Sequence, residues 1–403
     1  IGAGVAGSAV VLAVALAAGV AAANALSSAQ LAANHPVSGG TYEYGYRYLD
    51  PWLGFSAGWF FLLAKSASAA TAALGFSGYT LDLVGVEDPS FAARVGLGLA
   101  AVALLTGVVL AGLRRSNITN IVIVSITLGT LAIFILAGLP DIDADNLTPI
   151  VGDDLSLAAF LQATALMFVA YTGYGRIATL GEEVKEPRRT IPRAIIATLL
   201  VTMTLYVAVA AVAVGTFGTG ALELATETTA APLEAAAAAF ALSEVQYIVA
   251  LGAITAMLGV LLNLILGLSR VLLAMGRRRD MPPIVARLNA TETTPTVAVA
   301  VMGAVVAGLV LVGDVRLTWT FSAFNVLLYY GLTNLAALRL TDDERLFPRW
   351  ISQVGLMACF FLAFWVPFSV WSIALVILFI GYAWRLVALR LFADKNRMNT
   401  SAD

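Results

Sequence analysis

One apolar stretch of the sequence is interrupted by residues whose backbone can bind a small molecule. Residues 160–181 are apolar enough to cross a bilayer, but their middle, 172–176, is Thr-Gly-Tyr-Gly-Arg. Gly173 and Gly175 lower the cost of leaving a helix there. Unwound backbone at membrane depth is tolerated only where it is buried in protein or lines a wet cavity. The pattern predicts a broken helix; the alternative is an ordinary kinked span whose glycines allow close packing.

A lysine lies deep within another apolar stretch. Lys65 is about 13 residues, or roughly 20 Å, from the start of that stretch, too far to reach the interface easily. Its neighbours in 64–73 are almost all Ala, Ser or Thr, a surface suited to tight helix packing. An ionisable group inside a membrane indicates a function by default. The alternative is a brace that donates to the carbonyl groups of a broken helix.

The composition is typical of a polytopic membrane protein. Of 403 residues, 60% are hydrophobic and 12% are charged, whereas soluble proteins have about 25% charged residues. The single cysteine, Cys359, and the single histidine, His35, exclude an internal disulfide, a cysteine metal cluster and histidine-rich catalysis. We therefore expect no cofactor, no metal, no enzymatic activity and no nucleic acid partner; membrane lipid surrounds the chain.

Eleven apolar runs are long enough to be membrane-spanning helices. They are Ser8–Ala33, Trp52–Leu83, Phe91–Leu113, Ile118–Leu139, Leu155–Gly181, Ile195–Phe217, Val245–Met275, Thr296–Val312, Leu317–Leu340, Ile351–Pro367 and Val370–Leu391. The fold class predicted is an all-α polytopic membrane protein.

The charges of the loops predict the orientation, because Lys and Arg concentrate on the cytoplasmic side. The loops after odd-numbered spans, together with the C-terminal tail, hold eighteen of these residues. The opposite loops hold Arg94 and Arg316 and are otherwise acidic. We expect a cytoplasmic C-terminus, loops 182–193 and 277–287 inside, and loop 141–154 outside.

The interrupted span and the loop after it resemble a known family. The segment Phe168-Val-Ala-Tyr-Thr-Gly-Tyr-Gly-Arg176, followed by Glu182-Glu-Val-Lys-Glu-Pro-Arg-Arg-Thr-Ile-Pro-Arg193, is similar to the sixth helix and following loop of the amino acid–polyamine–organocation transporters. Leu31-Ala-Ala-Asn-His-Pro-Val-Ser-Gly-Gly-Thr-Tyr42 resembles the loop after their second helix. The resemblance covers nearly the whole chain, from family helix two to helix twelve.

The resemblance implies a single transporter domain with a leucine-transporter-like fold, in which two inverted five-helix repeats hold the substrate between the unwound centres of helices one and six. Residues 1–139 would be helices two to five, 155–340 the second repeat, 350–391 helices eleven and twelve, and 392–403 a cytoplasmic tail. Three departures from the family stand out: its opening helix is not visible, Gly175 stands where many relatives have Asp, and no lysine lies in helix five.

From these observations we expect secondary transport of amino acids across the cell membrane by alternating access. The substrate-binding candidates are Ala170, Tyr171, Thr172, Gly173, Tyr174 and Gly175. Tyr171 and Tyr174 are candidates for an aromatic gate, and Lys65 and Arg176 for coupling or gating. The further partner would be a coupling proton or an exchanged amino acid, in a symporter or an antiporter.

The substrate itself is weakly constrained. With Lys65 and Arg176 in the membrane and no buried carboxylate, a cationic side chain would lack a counter-charge, which costs several kcal/mol. This favours neutral or acidic amino acids. The alternatives are an amine or polyamine exchanger and a non-transporting sensor with the same fold.

The absent opening helix leads to one more expectation. A chain that begins outside the membrane with an odd number of spans should leave a groove beside 171–176, where that helix would lie. We expect such a chain not to transport by itself.

Overall fold

The structure is a computed structural model that describes residues 1–37, 39–86, 88–112, 117–149, 156–175, 184–290 and 293–399. Side chains are described throughout these ranges except at 117, 119 and 392–399. Every regular element within them is helical, as the sequence predicts. Helices follow from the apolar runs, because a chain in lipid must satisfy its own backbone hydrogen bonds.

The helices of the described ranges are numbered in chain order. They are α1 (Gly2–Ala6), α2 (Val10–Asn34), α3 (Thr41–Tyr48), α4 (Pro51–Leu83), α5 (Phe91–Leu110), α6 (Asn117–Gly138), α7 (Leu157–Phe168), α8 (Pro187–Phe217), α9 (Thr219–Thr228), α10 (Pro232–Ala238), α11 (Val245–Arg277), α12 (Thr296–Val310), α13 (Val315–Ala337), α14 (Arg349–Ala363) and α15 (Phe368–Asn399). The 3₁₀ segments are Gly7–Ala9, Leu139–Asp141, Ala144–Asn146, Val169–Tyr174 and Pro283–Ala286.

Eight helical segments of the described chain are long and apolar enough to cross a membrane. They are Gly2–Asn34, Pro51–Leu83, Phe91–Leu110, Asn120–Asp141, Leu157–Tyr174, Pro187–Phe217, Val245–Arg277 and Phe368–Leu391. The three other predicted spans are helices as well. Two of them, α12 and α14, have 15 residues each, and the third, α13, has 23 residues but is more polar.

Most helix boundaries lie within a few residues of the predicted ones. Helix α15 ends at Asn399, eight residues after the predicted end at Leu391. The other large difference is in α8. This helix begins at Pro187, whereas the apolar run begins at Ile195. Pro187 is at the first helical position, where its missing N–H has no intrahelical partner to lose. The basic residues that precede the apolar run therefore belong to the helix. A helix can continue beyond the membrane through polar turns.

Helix α4 lies at the centre of the molecule and packs along both α11 and α13. Its alanines Ala64, Ala67, Ala70 and Ala73 are all buried, on the sides of the helix that contact its neighbours. Small side chains let the neighbouring backbones approach closely, which drives association when lipid supplies no hydrophobic force. This packing holds Lys65 in the interior of the bundle.

The long helices pair in a regular order. Helix α2 packs on α8, α4 on α11, and α5 on α12. Successive helices of the first half thus contact successive helices of the second half. Helix α13 closes the centre against α4, and its buried face has six polar side chains: Thr318, Thr320, Ser322, Asn325, Thr333 and Asn334.

Candidate functional site

The interrupted span changes its helical geometry near its middle. Helix α7 starts at an N-cap, Ser156, whose hydroxyl accepts from the N–H of Ala159 at 3.1 Å. The α-helix ends at Phe168 and continues as a 3₁₀ helix over Val169–Tyr174. Six residues exceed the usual length of three to four for this poorer geometry, and such stretches often mark functional hinges. We call Val169–Gly175 the break.

Thr172 joins the break to two other helices. Its hydroxyl donates to the carbonyl oxygen of Val169 at 2.7 Å and accepts from the Lys65 ammonium at 2.9 Å. Its own carbonyl oxygen accepts from the hydroxyl of Tyr330, on α13, at 3.2 Å. Lys65 therefore has a hydroxyl of the break as its partner in the described structure, whereas the brace considered from the sequence would donate to carbonyl groups. The three contacts fix one peptide of the break between α4 and α13.

A cavity of about 220 Å³ lies beside these contacts. It opens between the break, α4, α11 and α13, and Lys65 is the charged residue among the described residues that line it. The lining comprises Phe61 and Lys65 of α4, Thr172, Gly173 and Gly175 of the break, Val260, Asn263, Leu264 and Gly267 of α11, and Tyr329 and Tyr330 of α13.

The two glycines of the break have different surroundings. A Cβ at Gly173 would meet no atom of the described residues within 4 Å, so on the described side this residue faces open space in the cavity. A Cβ at Gly175 would lie 2.6 Å from the hydroxyl oxygen of Tyr330. Gly175 thus allows the close approach of α13, whereas Gly173 leaves room for another molecule beside the backbone.

The comparison with known proteins decides the family. The amino acid permease family model matches residues 1–397. This chain belongs to the amino acid permease family. The family lies within the amino acid–polyamine–organocation superfamily that the sequence resembles, so that resemblance is confirmed, and the protein is a multi-pass membrane transporter.

Individual relatives have transporter names. An uncharacterized transporter of Mycobacterium tuberculosis is 40% identical over 99% of this chain and 87% of its own length. A branched-chain amino acid permease of Bacillus subtilis is 26% identical over 88% of this chain and 82% of its own. A vacuolar cationic amino acid transporter of Arabidopsis thaliana is 26% identical over 84% of this chain and 56% of its own.

The predicted site residues of the permease lie in two places, the cavity and a separate groove. Thr172, Gly173 and Gly175 line the cavity together with Lys65. Ala170 and Tyr171 instead line a groove of about 250 Å³ between α1, α2, the break and α8.

The two tyrosines of the break are both buried side chains with aromatic neighbours. Tyr171 donates to the carbonyl oxygen of Val14 at 3.2 Å, and its ring centroid is 5.1 Å from that of Tyr206. The Tyr174 ring is 5.3 Å from the ring of Tyr330 and lines neither the cavity nor the groove described above. Arg176 lies outside the described residues.

Several cavity residues were not among the predicted candidates. Tyr329 and Tyr330 form an edge-to-face pair with ring centroids 5.0 Å apart, and Phe61 lies 5.4 Å from Tyr329. Aromatic residues are common in apolar spans, so the positions of these three in the sequence did not predict that they form a cluster. Asn263 was the available signal, as an amide side chain in an otherwise apolar run of α11.

The described residues of the cavity do not include a set of metal ligands. Across the described ranges, no group of three or more His, Cys, Asp or Glu residues lies close enough together to hold an ion. The polar groups that the cavity offers are an ammonium, hydroxyls, an amide and the backbone of the break. Such groups bind carboxylates and ammonium groups.

Proposed function

We propose that this permease is a secondary active transporter of amino acids, and that the substrate binds in the cavity between the break, α4, α11 and α13. The observation that carries the proposal is the position of this cavity. It lies against the part of an apolar helix where α-helical geometry changes to a 3₁₀ helix, and interrupted helices of this kind bind substrate in transporters. The family and the name of the branched-chain relative support an amino acid as cargo.

In the proposed complex, the backbone of the break binds the groups that all amino acids share. N–H groups at a half-helix start attract the α-carboxylate, and carbonyl groups at a half-helix end accept from the α-ammonium. Gly173 lets the ligand approach the backbone, because no side chain stands between them. Tyr330 holds the peptide of Thr172 in place by its hydrogen bond to the carbonyl oxygen.

Lys65 is the proposed gating or coupling residue of this site. Its hydrogen bond to Thr172 joins α4 to the break, so a movement of the break must stretch or exchange this contact. Arg176 remains a second candidate for that role on sequence grounds. Tyr171 and Tyr174 remain candidates for an aromatic gate, since both are buried within the segment that would move.

Two inverted repeats and alternating access are part of the proposal. The pairings α2 with α8, α4 with α11 and α5 with α12 support it, because corresponding helices of two repeats would meet in this order. The charge difference between the two sets of loops supports a cytoplasmic C-terminus. Residues 1–139 and 155–340 would form the two repeats, followed by helices at 350–391 and a cytoplasmic tail at 392–403.

Flux into proteoliposomes tests the function. For the product of the full-length gene, we expect saturable uptake of a labelled amino acid, with accumulation that depends on an imposed pH or sodium gradient or on an amino acid preloaded inside. The gradient that drives accumulation identifies the coupling partner. Saturable binding without flux would instead indicate a sensor, and the absence of both binding and flux across all amino acids would contradict the proposal.

A further inference from the structure

The cavity contains a charge that its described lining does not balance, and this limits the substrate. We propose that the permease prefers acidic amino acids, with the side-chain carboxylate of the substrate paired with the ammonium of Lys65. This inference rests on the proposed function, because it takes the cavity as the substrate site.

The first step is the state of Lys65 in the structure. Its ammonium can donate three hydrogen bonds, and it makes one, to the Thr172 hydroxyl at 2.9 Å. Within the described ranges, no carboxylate lies within ion-pair distance of its nitrogen. Thr172 already donates its hydroxyl proton to Val169, so it provides Lys65 with a lone pair but no charge.

The second step is the net charge of the loaded site. A neutral amino acid is a zwitterion and would leave the charge of Lys65 unbalanced. A cationic amino acid would add a second positive charge, whereas an acidic one has a net charge of −1 and balances it. A carrier must bury its loaded site away from water, and an unpaired buried charge costs several kcal/mol in real proteins. Charge balance therefore favours the acidic substrate.

The third step is the arrangement of polar groups along the break. The break forms one wall, and the Lys65 amine lies at Thr172, so the substrate side-chain carboxylate would bind at this point and the α-groups farther along the same wall. Phe61 lies one turn before Lys65 on the same face of α4, and Leu264 faces the cavity from α11. These apolar side chains suit the methylene groups between the two ends of glutamate. The backbone of the break binds the α-groups, and Lys65 is left for the side-chain carboxylate.

The competing arrangement places the α-carboxylate of the substrate on Lys65. Every amino acid would then make the same contact, and an acidic side chain would gain no advantage. The Arabidopsis relative named as a cationic amino acid transporter is 26% identical to this chain, as is the branched-chain permease, so neither name identifies the substrate of this cavity. Matched pairs of substrates separate these arrangements.

The test is equilibrium binding of labelled L-glutamate to the purified protein, with L-glutamine and L-lysine as competitors. Glutamine has nearly the same shape as glutamate but lacks the charge. We expect glutamate to bind about tenfold or more tightly than glutamine, as one charge-assisted hydrogen bond at a buried site predicts. Lysine should compete least.

Variants of Lys65 then connect the preference to this residue. Lys65→Met should lower the ratio of glutamate affinity to glutamine affinity by about tenfold or more, whatever it does to the binding of both. Lys65→Arg should keep part of the preference, because it keeps the charge. Lys185→Met, which removes an exposed lysine outside the cavity, is the matched control and should leave both affinities unchanged.

Each outcome supports or contradicts the inference. Equal affinities for glutamate and glutamine in the wild-type protein would overturn it while leaving the proposed function intact, and this result does not depend on any variant folding. A glutamate preference that persists in Lys65→Met would also overturn it. If no amino acid binds at all, both the inference and the proposed function fail.

Discussion

At the residue scale, Gly173 has a more specific role than its sequence position indicates. It is the residue of the break whose missing side chain leaves open space in the cavity. The neighbouring Gly175 is needed instead for packing against Tyr330. A substitution at each position therefore tests a different property.

We predict that Gly173→Leu abolishes substrate binding with little loss of folded protein. A Cβ at this position meets no described atom within 4 Å, so the new side chain would occupy the cavity and not the packed wall. Gly129→Leu is the control, since Gly129 also has open space around it but lies on an exposed part of α6. Binding and the yield of monodisperse protein should both be measured. Normal substrate binding by Gly173→Leu would show that the binding site is not this cavity.

We also predict that Tyr330→Phe weakens binding more than it weakens folding. The change removes the hydroxyl that donates to the carbonyl oxygen of Thr172, and one such bond contributes about 1 kcal/mol to stability. The peptide of Thr172 loses its fixed position, so substrate affinity should fall several-fold while the melting temperature falls only slightly. Tyr206→Phe, beside Tyr171, serves as the control outside the cavity. Unchanged affinity in Tyr330→Phe would contradict the proposed role of this contact.

At the element scale, a buried ion pair fastens α15 to the segment after α11. Asp280 lies 3.5 Å from Arg385, and both side chains are almost fully buried. The hydroxyls of Tyr42 and Tyr46 donate to Asp280 at 2.7 and 2.6 Å. The Arg385 guanidinium also lies over the Trp52 ring, 4.8 Å from its centroid. This cluster joins α3, the start of α4, α11 and α15.

We predict that Asp280→Asn destabilises the protein by about 3–5 kcal/mol, because it leaves Arg385 buried without its partner. Adding Arg385→Met should recover much of that loss, since the double variant has no uncompensated charge. Thermal denaturation in one detergent measures both effects. If the stability lost by the double variant equals the sum of the losses of the two single variants, the two side chains do not stabilise the protein as a pair.

The short helix α10 has a carboxyl group with unusual surroundings. Glu234 is buried at 5% exposure, and its Oε2 has no hydrogen-bond partner in the described structure. Burial, and to a lesser extent the charge of Asp82, raises the pKa of Glu234 to about 7. Since the ordinary value for such a group is 4.5, the folded protein binds this proton more tightly than the unfolded chain does.

The sign of the pH dependence follows from this shift. The contribution of Glu234 to stability is fully present below pH 4.5 and is lost as the pH rises towards about 7. Glu234→Gln mimics the protonated group, so we predict a melting temperature several degrees above wild type at pH 8 and close to wild type at pH 4.5. Glu244→Gln, in the exposed segment before α11, is the control. An equal effect of Glu234→Gln at both pH values would contradict the cause assigned here.

At the scale of the whole molecule, the sequence predicts the fold better than the site. Apolar runs located the eleven predicted spans, each of which contains a described helix, because the bilayer makes length and polarity strong signals. The short helices α1, α3, α9 and α10 were not predicted. The start of α8 was misplaced, since apolarity marks the hydrocarbon region and not the end of the helix. The polar buried face of α13, which has Asn325, Thr333 and Asn334, has no equivalent local signal.

The site could be predicted only in part, for a physical reason. Thr172, Gly173 and Gly175 share a short segment, so the glycine pattern located them together. Lys65 was noticeable because a charge in an apolar span is rare. Its contact with Thr172, 107 residues away in sequence, depends on how α4 packs against the break. No local pattern encodes such packing, which also explains why Tyr329 and Tyr330 were missed.

The orientation of the whole chain is a separate prediction. In a Cys359→Ala background, a cysteine at position 145 should react with a membrane-impermeant reagent from outside the cell, and one at position 185 only after the membrane is opened. Asp145 and Lys185 are both exposed in the structure, so access to solvent does not distinguish them. The reverse labelling pattern would contradict the orientation drawn from the loop charges.

The most direct test of the central claim is a cryo-electron microscopy map of the protein saturated with a transported amino acid. The map should contain density for the ligand in the cavity, within hydrogen-bond distance of the backbone of the break and of the Lys65 amine. Density in the groove between Tyr171 and Tyr206, with the cavity beside Gly173 empty, would contradict it.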